Sequence, residues 1–164
     1  MSNQRIYTIY TDGACLGNGG PFPRAGWGAV LRNPEGDMLE IAGPVPDDQP
    51  QTNNRAELMA IIEALKAVTK PAAVNLFTDS EYIANACNMW LDGWIVSGWR
   101  KSDKKPVAHI DLWEELVRLR SFHQLTVSWV KAHNGTEDNE RADGLANLGC
   151  YKKRIRRLEK AAIQ

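Results

Sequence analysis

Asp12, Glu57, Asp79 and Asp143 are the side chains whose types and settings could act together as chemistry. Asp12 and Asp79 each follow a threonine at the end of a strand-like run, residues 6–11 and 73–78. A carboxylate at the carboxyl edge of a strand can reach into an open crevice. Glu57 falls in the first turn of a helical pattern, at the edge of its apolar stripe, and Asp143 lies about two turns into another. Taken singly, three of them have ordinary explanations. Asp12 can be a turn former before Gly13, Glu57 a helix-dipole partner and Asp79 an N-cap. Asp143 is harder to explain this way, because dipole stabilisation fades after the first turn. Four acids facing one crevice repel one another, and such a cluster is normally held by a divalent cation. Oxygen-only ligands select a hard ion such as Mg²⁺ or Mn²⁺ rather than zinc.

Several elements have to bring these acids together. Residues 5–13, rich in β-branched and aromatic side chains, predict a first strand that stops at Asp12-Gly13. A Gly/Pro-rich loop over 17–24, a strand over 25–32, a turn over 33–37 and a strand over 38–42 make an antiparallel meander. After a proline-rich loop over 44–50, Leu58, Ile61, Ile62, Leu65 and Val68 repeat at helical spacing, with N-caps on offer from 52 to 54. The run over 73–78 follows that helix, so it lies parallel to an earlier strand through a right-handed crossover. If it neighbours the first strand, Asp12 and Asp79 emerge at one edge, near the start of the helix bearing Glu57. A second helix over 80–89 continues through a kink into 90–94, a third covers 110–122, and 125–130 alternates as the last strand. The loop His133-Asn134-Gly135 leads into a helix with apolar positions Ala142, Leu145, Ala146 and Gly149, with Asp143 beside them. The charged tail, residues 151–164, is expected to extend that helix.

The 164 residues suit one domain, and 43% hydrophobic with 24% charged residues is an ordinary globular composition. No apolar run approaches a membrane span and no secretory leader is visible, so the expected location is cytoplasmic. Cys15, Cys87 and Cys150 are odd in number and widely spaced, which argues against a disulfide framework and against a zinc site. The net charge of zero conceals an uneven distribution. Residues 94–105 carry four basic side chains against one acidic, and residues 152–160 carry six against one, leaving an acidic remainder. Two basic patches beside an acidic body suit a protein that grips phosphate in one place and metal in another.

The segments Tyr10-Thr-Asp-Gly-Ala-Cys-Leu-Gly-Asn18, Thr52-Asn-Asn-Arg-Ala-Glu-Leu58, Thr78-Asp-Ser80, Val130-Lys-Ala-His-Asn-Gly and Asn139-Glu-Arg-Ala-Asp143 together resemble type 1 ribonuclease H. The match runs in order from residue 6 to about 149. The resemblance implies an α/β fold with a five-stranded mixed sheet in order 3-2-1-4-5 and helices on both faces. It divides the chain into a ribonuclease H domain over 1–150 and a basic helical extension over 151–164. It implies metal-dependent cleavage of the RNA strand of an RNA–DNA hybrid, leaving 3′-hydroxyl and 5′-phosphate ends, by a monomer using Mg²⁺ (or Mn²⁺), two ions with substrate bound. Asp12, Glu57, Asp79 and Asp143 match the metal-binding catalytic acids, and His133 the mobile-loop histidine. Asn18, Asn53 and Asn54 match substrate contacts. Trp90, Trp94, Trp99, Arg100, Lys101, Lys104 and Lys105 resemble the basic protrusion that holds the DNA strand, although Trp90 and Trp94, four apart, could equally pack one helix face. Two features depart from the family pattern. The loop 19–26 is longer and less glycine-pure than usual, and the basic tail lies beyond the core.

Overall fold

A computed structural model of the chain describes residues 5–133 and 135–162. One mixed sheet runs through it in the order β5-β4-β1-β2-β3-β6. Its strands are β1 (Ile6–Leu16), β2 (Arg24–Arg32), β3 (Met38–Pro44), β4 (Ala73–Thr78), β5 (Gln124–Trp129) and β6 (Ile155–Glu159). The first five take the order expected from the sequence, antiparallel from β1 to β3 and parallel from β1 through β4 to β5.

The sixth strand corrects the reading of the tail as helix. Lys152 adopts a left-handed φ of 62°. Its N–H donates to Gly149 O at 2.9 Å, and that of Lys153 to Leu148 O at 3.2 Å. These bonds satisfy the last carbonyls and stop the helix. The chain then reverses and pairs antiparallel with β3, Met38 opposite Glu159 and Ala42 opposite Ile155. Two things hold it there. Ile155 packs against a small apolar cluster of Val30, Met38, Ala42, Ala142 and Leu145. Buried Glu40 accepts from Arg157 and from Arg141, both at 3.0 Å. Helical charge spacing could not anticipate an open sheet edge that needs its backbone groups satisfied.

Helices cover both faces. On one lie α1 (Asn53–Ala67) and α4 (Ile110–Phe122), over the main core of Ile9, Leu58, Ile61, Leu65, Leu76, Trp113 and Leu116. Arg55, buried in α1, reaches across to Asp111 of α4 with bonds of 2.6 and 2.9 Å. On the other face α5 (Glu137–Cys150) lies directly on the sheet. A Cβ at Gly26 or Gly28 would come within 2.2 Å and 2.6 Å of α5 backbone nitrogens. Glycine there permits helix and sheet to approach more closely than side chains would.

Between β4 and α4 the chain forms α2 (Glu81–Asn85), a π-helical turn (Ala86–Trp90) and α3 (Leu91–Val96). The π turn is the physical form of the expected kink, a local widening of the helical ladder. No helix among the described residues is long and apolar enough to cross a membrane.

Candidate active site

The first strand does not stop at Asp12-Gly13; it runs on to Leu16, because β2 stays paired with it through Leu16 opposite Arg24. What stops is the pairing with β4, at Thr11 opposite Thr78. The two parallel strands part there, and the gap opens beside Asp12 and Asp79. Asp12 therefore sits within a continuing strand, at the point where β1 and β4 part.

Gly13 has a role other than ending the strand. A Cβ on it would sit 2.2 Å from the backbone nitrogen of Glu57. Glycine therefore lets the first turn of α1 rest on β1, which sets Glu57 next to Asp12. Thr52 caps α1 by accepting from the Arg55 N–H at 3.1 Å, leaving Asn53 and Asn54 exposed in the first turn. Ser80, not Asp79, caps α2, accepting from the Ile83 N–H at 3.2 Å. The ordinary explanations for Asn54 and Asp79 as caps thus fall away.

Ligand oxygens of Asp12, Glu57 and Asp79 all lie within 4.8 Å of one another. Asp12 Oδ1 accepts from the Gly13 N–H at 2.8 Å. Glu57 Oε2 is buried with no hydrogen-bond partner among the described residues. An orphaned carboxylate oxygen in this position is costly unless something else satisfies it. Burial, reinforced by the charges of Asp79 and Asp143 against an opposing hydrogen bond with Glu57, pushes the Asp12 carboxyl up to about 8. Burial and the adjacent Asp12 charge hold Glu57 well above the usual carboxylate range. Asp79 is raised by burial and by Asp143, against a hydrogen bond with Asp12. A divalent cation would relieve both the repulsion and the orphaned oxygen, so the donor set fits a hard metal ion.

Asp143 projects from α5 toward the same crevice, close enough for its charge to act on both Asp12 and Asp79. A second group of ligands, His133, Glu140 and Asp143, likewise lies within 4.8 Å. His133 is exposed in the loop before α5, at a left-handed φ of 54°, with Nδ1 3.6 Å from Glu140 Oε2. Asn134, beside it, lies outside the described residues. Glu140 was not singled out by the sequence. Its signal is the spacing of three to Asp143, which puts both acids on one face of α5.

Among the expected substrate contacts, Asn18, Asn53 and Asn54 are exposed. The protrusion is a tight loop in which Lys101 N–H donates to Lys105 O and Arg100 Nη1 to Lys104 O. It presents Arg100, Lys101, Lys104 and Lys105 to solvent. A depression of about 680 Å³ beside it is lined by Tyr82, Trp90, Trp94, Ser97, Arg100 and Lys101. The tryptophans divide. Trp94 is 8% exposed and meets Trp113 edge-on at 5.4 Å, so it is chiefly a packing residue, while Trp90, 6.0 Å from Trp94, is at the surface. Trp99 is half-buried against the main core.

A family model described as RNase H matches residues 4–151. A ribonuclease H of Cupriavidus metallidurans is 51% identical over 142 residues, 87% of this chain and 93% of the relative. One from Bradyrhizobium diazoefficiens is 46% identical over 155 residues, 94% of this chain and 96% of the relative. Among solved structures, LC9-RNase H1, described as a type 1 RNase H with the type 2 active-site motif, superposes with a TM-score of 0.82 at 26% identity, covering 98% of this chain and 80% of that one. LC11-RNase H1, solved in complex with an RNA/DNA hybrid, matches with a TM-score of 0.64 at 25% identity over 88% of this chain and 96% of that one.

Proposed function

The chain belongs to the ribonuclease H family, and from that membership we propose that it is a metal-dependent endonuclease hydrolysing the RNA strand of RNA–DNA hybrids to 3′-hydroxyl and 5′-phosphate ends, acting as a monomer in the cytoplasm. The observation that carries this reading is the meeting of Asp12, Glu57 and Asp79 within 4.8 Å, with Asp143 bearing on the same crevice. These four acids would hold Mg²⁺ (or Mn²⁺), two ions with substrate bound. Bound there, divalent ions supply activation of water and charge neutralisation at the transferring phosphate.

The remaining work falls to the protein's own groups. His133, exposed on its loop with Nδ1 3.6 Å from Glu140 Oε2, would exchange a proton at its imidazole with the leaving oxygen. Asn18, Asn53 and Asn54 offer amide donors and acceptors to sugar hydroxyls and base edges in a shallow minor groove, where the 2′-hydroxyl tells RNA from DNA. Arg100, Lys101, Lys104 and Lys105, with Trp90, hold the DNA strand away from the reacting bond. Partnership with a hybrid is supported by the neighbouring LC11-RNase H1 structure, which contains one.

The test is one cleavage assay in Mg²⁺ on matched RNA–DNA hybrid, duplex RNA and duplex DNA. Cutting confined to the RNA of the hybrid is expected, with end-labelling showing the 5′-phosphate. Duplex DNA cut at a comparable rate would move the protein to a related nuclease of the same fold. Hybrid binding without any cleavage would make it a binding module.

A further inference from the structure

The sheet order puts exposed basic features on opposite flanks of the acidic cluster. The protrusion follows β4 and is tied to the β5 and α4 side, where Asn88 Nδ2 donates to Val127 O and Arg120 bonds Asp92. The other feature lies across β1, where α5 ends beside the start of β2. There Arg24, opposite Leu16 in register, lays its guanidinium over the Tyr151 ring at 5.4 Å. Tyr151 is 57% exposed, and Phe22, two residues before Arg24, is 88% exposed. The closing turn of α5 leaves Lys153 exposed, two residues beyond Tyr151. Lys152 is tied to Asp47 at 3.0 Å, but neither Arg24 nor Lys153 takes part in an ion pair among the described residues. The end of α5 lies directly on the sheet here, for a Cβ on Gly26 would sit 2.2 Å from the Cys150 backbone nitrogen. Phe22 shares the loop between β1 and β2 with Asn18, Arg24 opens β2 at the end of that loop, and Tyr151 adjoins it through Arg24.

We propose that Phe22, Arg24, Tyr151 and Lys153 form an accessory contact for the RNA strand, extending the grip beyond the reacting phosphate on the β2 side. This rests on the hybrid-cleavage reading above. Exposed rings offer π-faces on which bases stack whatever their sequence, and unpaired cations beside them meet the phosphates. The strand assignment follows from placement. With the DNA strand held at the protrusion beyond β4, the strand crossing the acids toward β2 is the one being cut. The stretch 19–26, which departs from the family's glycine-rich form, contains both Phe22, in the loop, and Arg24, at the start of β2.

The experiment compares the wild-type protein with R24A/Y151A and with K153A on a long hybrid, by steady-state kinetics, salt dependence of binding in Ca²⁺, and thermal melting. R24A/Y151A is expected to raise KM at least about fivefold, the loss of roughly one stacked base, with kcat within about twofold of wild type. K153A is expected to reduce the slope of log K against log salt by about 0.7–0.9 with an unchanged melting temperature. Neutral methylphosphonates placed in the RNA strand should erase the difference in binding between wild type and K153A; in the DNA strand they should not. Wild-type KM and salt slope in both variants would overturn the proposal while leaving the family reading intact. So would erasure by the DNA-strand substitution alone. If R24A/Y151A melts early, K153A, at an exposed side chain, decides the question by its salt slope. A wild-type protein that cuts no hybrid instead defeats the hybrid-cleavage reading itself.

Discussion

Asp12→Asn and Asp79→Asn each keep the shape of the side chain and remove a charged ligand from a crowded set of acids. Each is expected to lose nearly all cleavage in Mg²⁺ while melting at the same temperature as wild type or higher, because repulsion is relieved. Near-normal turnover by both variants would overturn the assignment. His133→Ala should behave differently. Its imidazole is 73% exposed on a loop and outside the buried acid cluster, so its loss should slow turnover by roughly 10²-fold without abolishing it. Inactivation as complete as in Asp12→Asn would make it a ligand. The raised carboxyl of Asp12, pushed up to about 8, carries a sign that can be tested without activity. The fold prefers its neutral form, so that contribution to stability is fully present below the unfolded value near 3.9 and is lost as pH rises toward 8. Without divalent ions, the melting temperature should fall between pH 5 and pH 8 more in wild type than in Asp12→Asn. Added Mg²⁺ should then raise it more at pH 8 than at pH 5, since the cation competes with the proton for the same oxygens. Equal stabilisation by Mg²⁺ at the two pH values would show that these acids are not its ligands.

At the scale of elements, the site depends on α1 lying closely on β1, and Gly13→Ala tests that contact directly. The added methyl would meet backbone at 2.2 Å, with no flexible side chain to give way. A destabilisation of about 1–3 kcal/mol in chemical unfolding is expected, together with weakened binding of Mg²⁺, as Glu57 is pushed from Asp12. Much of this geometry was legible in the sequence. Two runs ending in Thr-Asp and a strand, helix, strand order place Asp12 and Asp79 at one edge. The apolar stripe of Leu58, Ile61, Ile62 and Leu65 fixes where Glu57 sits. What could not be read were the properties that depend on a partner. β1 continues past Gly13 because β2 remains opposite it, and the close approach of Gly13 to Glu57 joins residues 44 apart. The tail reads as a charged helix until the open edge of β3 is in view. Glu140 becomes a site residue only once the loop bearing His133 folds back over α5.

For the whole molecule, a formal charge of zero conceals opposed fields, and the basic groups can be ranked by experiment. Changing Arg100, Lys101, Lys104 and Lys105 together to Ala should raise KM far more than it lowers kcat. It should also flatten the salt dependence of hybrid binding by about 0.7–0.9 for each phosphate left without its cation. Changing Lys153, Arg154 and Arg156 of the tail to Ala should flatten it less, and the reverse ranking would place the main grip at the C-terminus. These tail substitutions keep β6 in place, which matters because the last strand shields a hazard. Without it, Met38-Leu39-Glu40-Ile41-Ala42 would present an unpaired, largely apolar edge able to recruit other chains. With it, the outward edge reads Ile-Arg-Arg-Leu-Glu, and a second copy docking antiparallel about Arg157 would bring two guanidinium groups face to face. Ending the chain at residue 151 should therefore produce light scattering that climbs with concentration where the full chain stays clear. The charged tail then acts as a solubility device, keeping one copy's sheet from growing into the next.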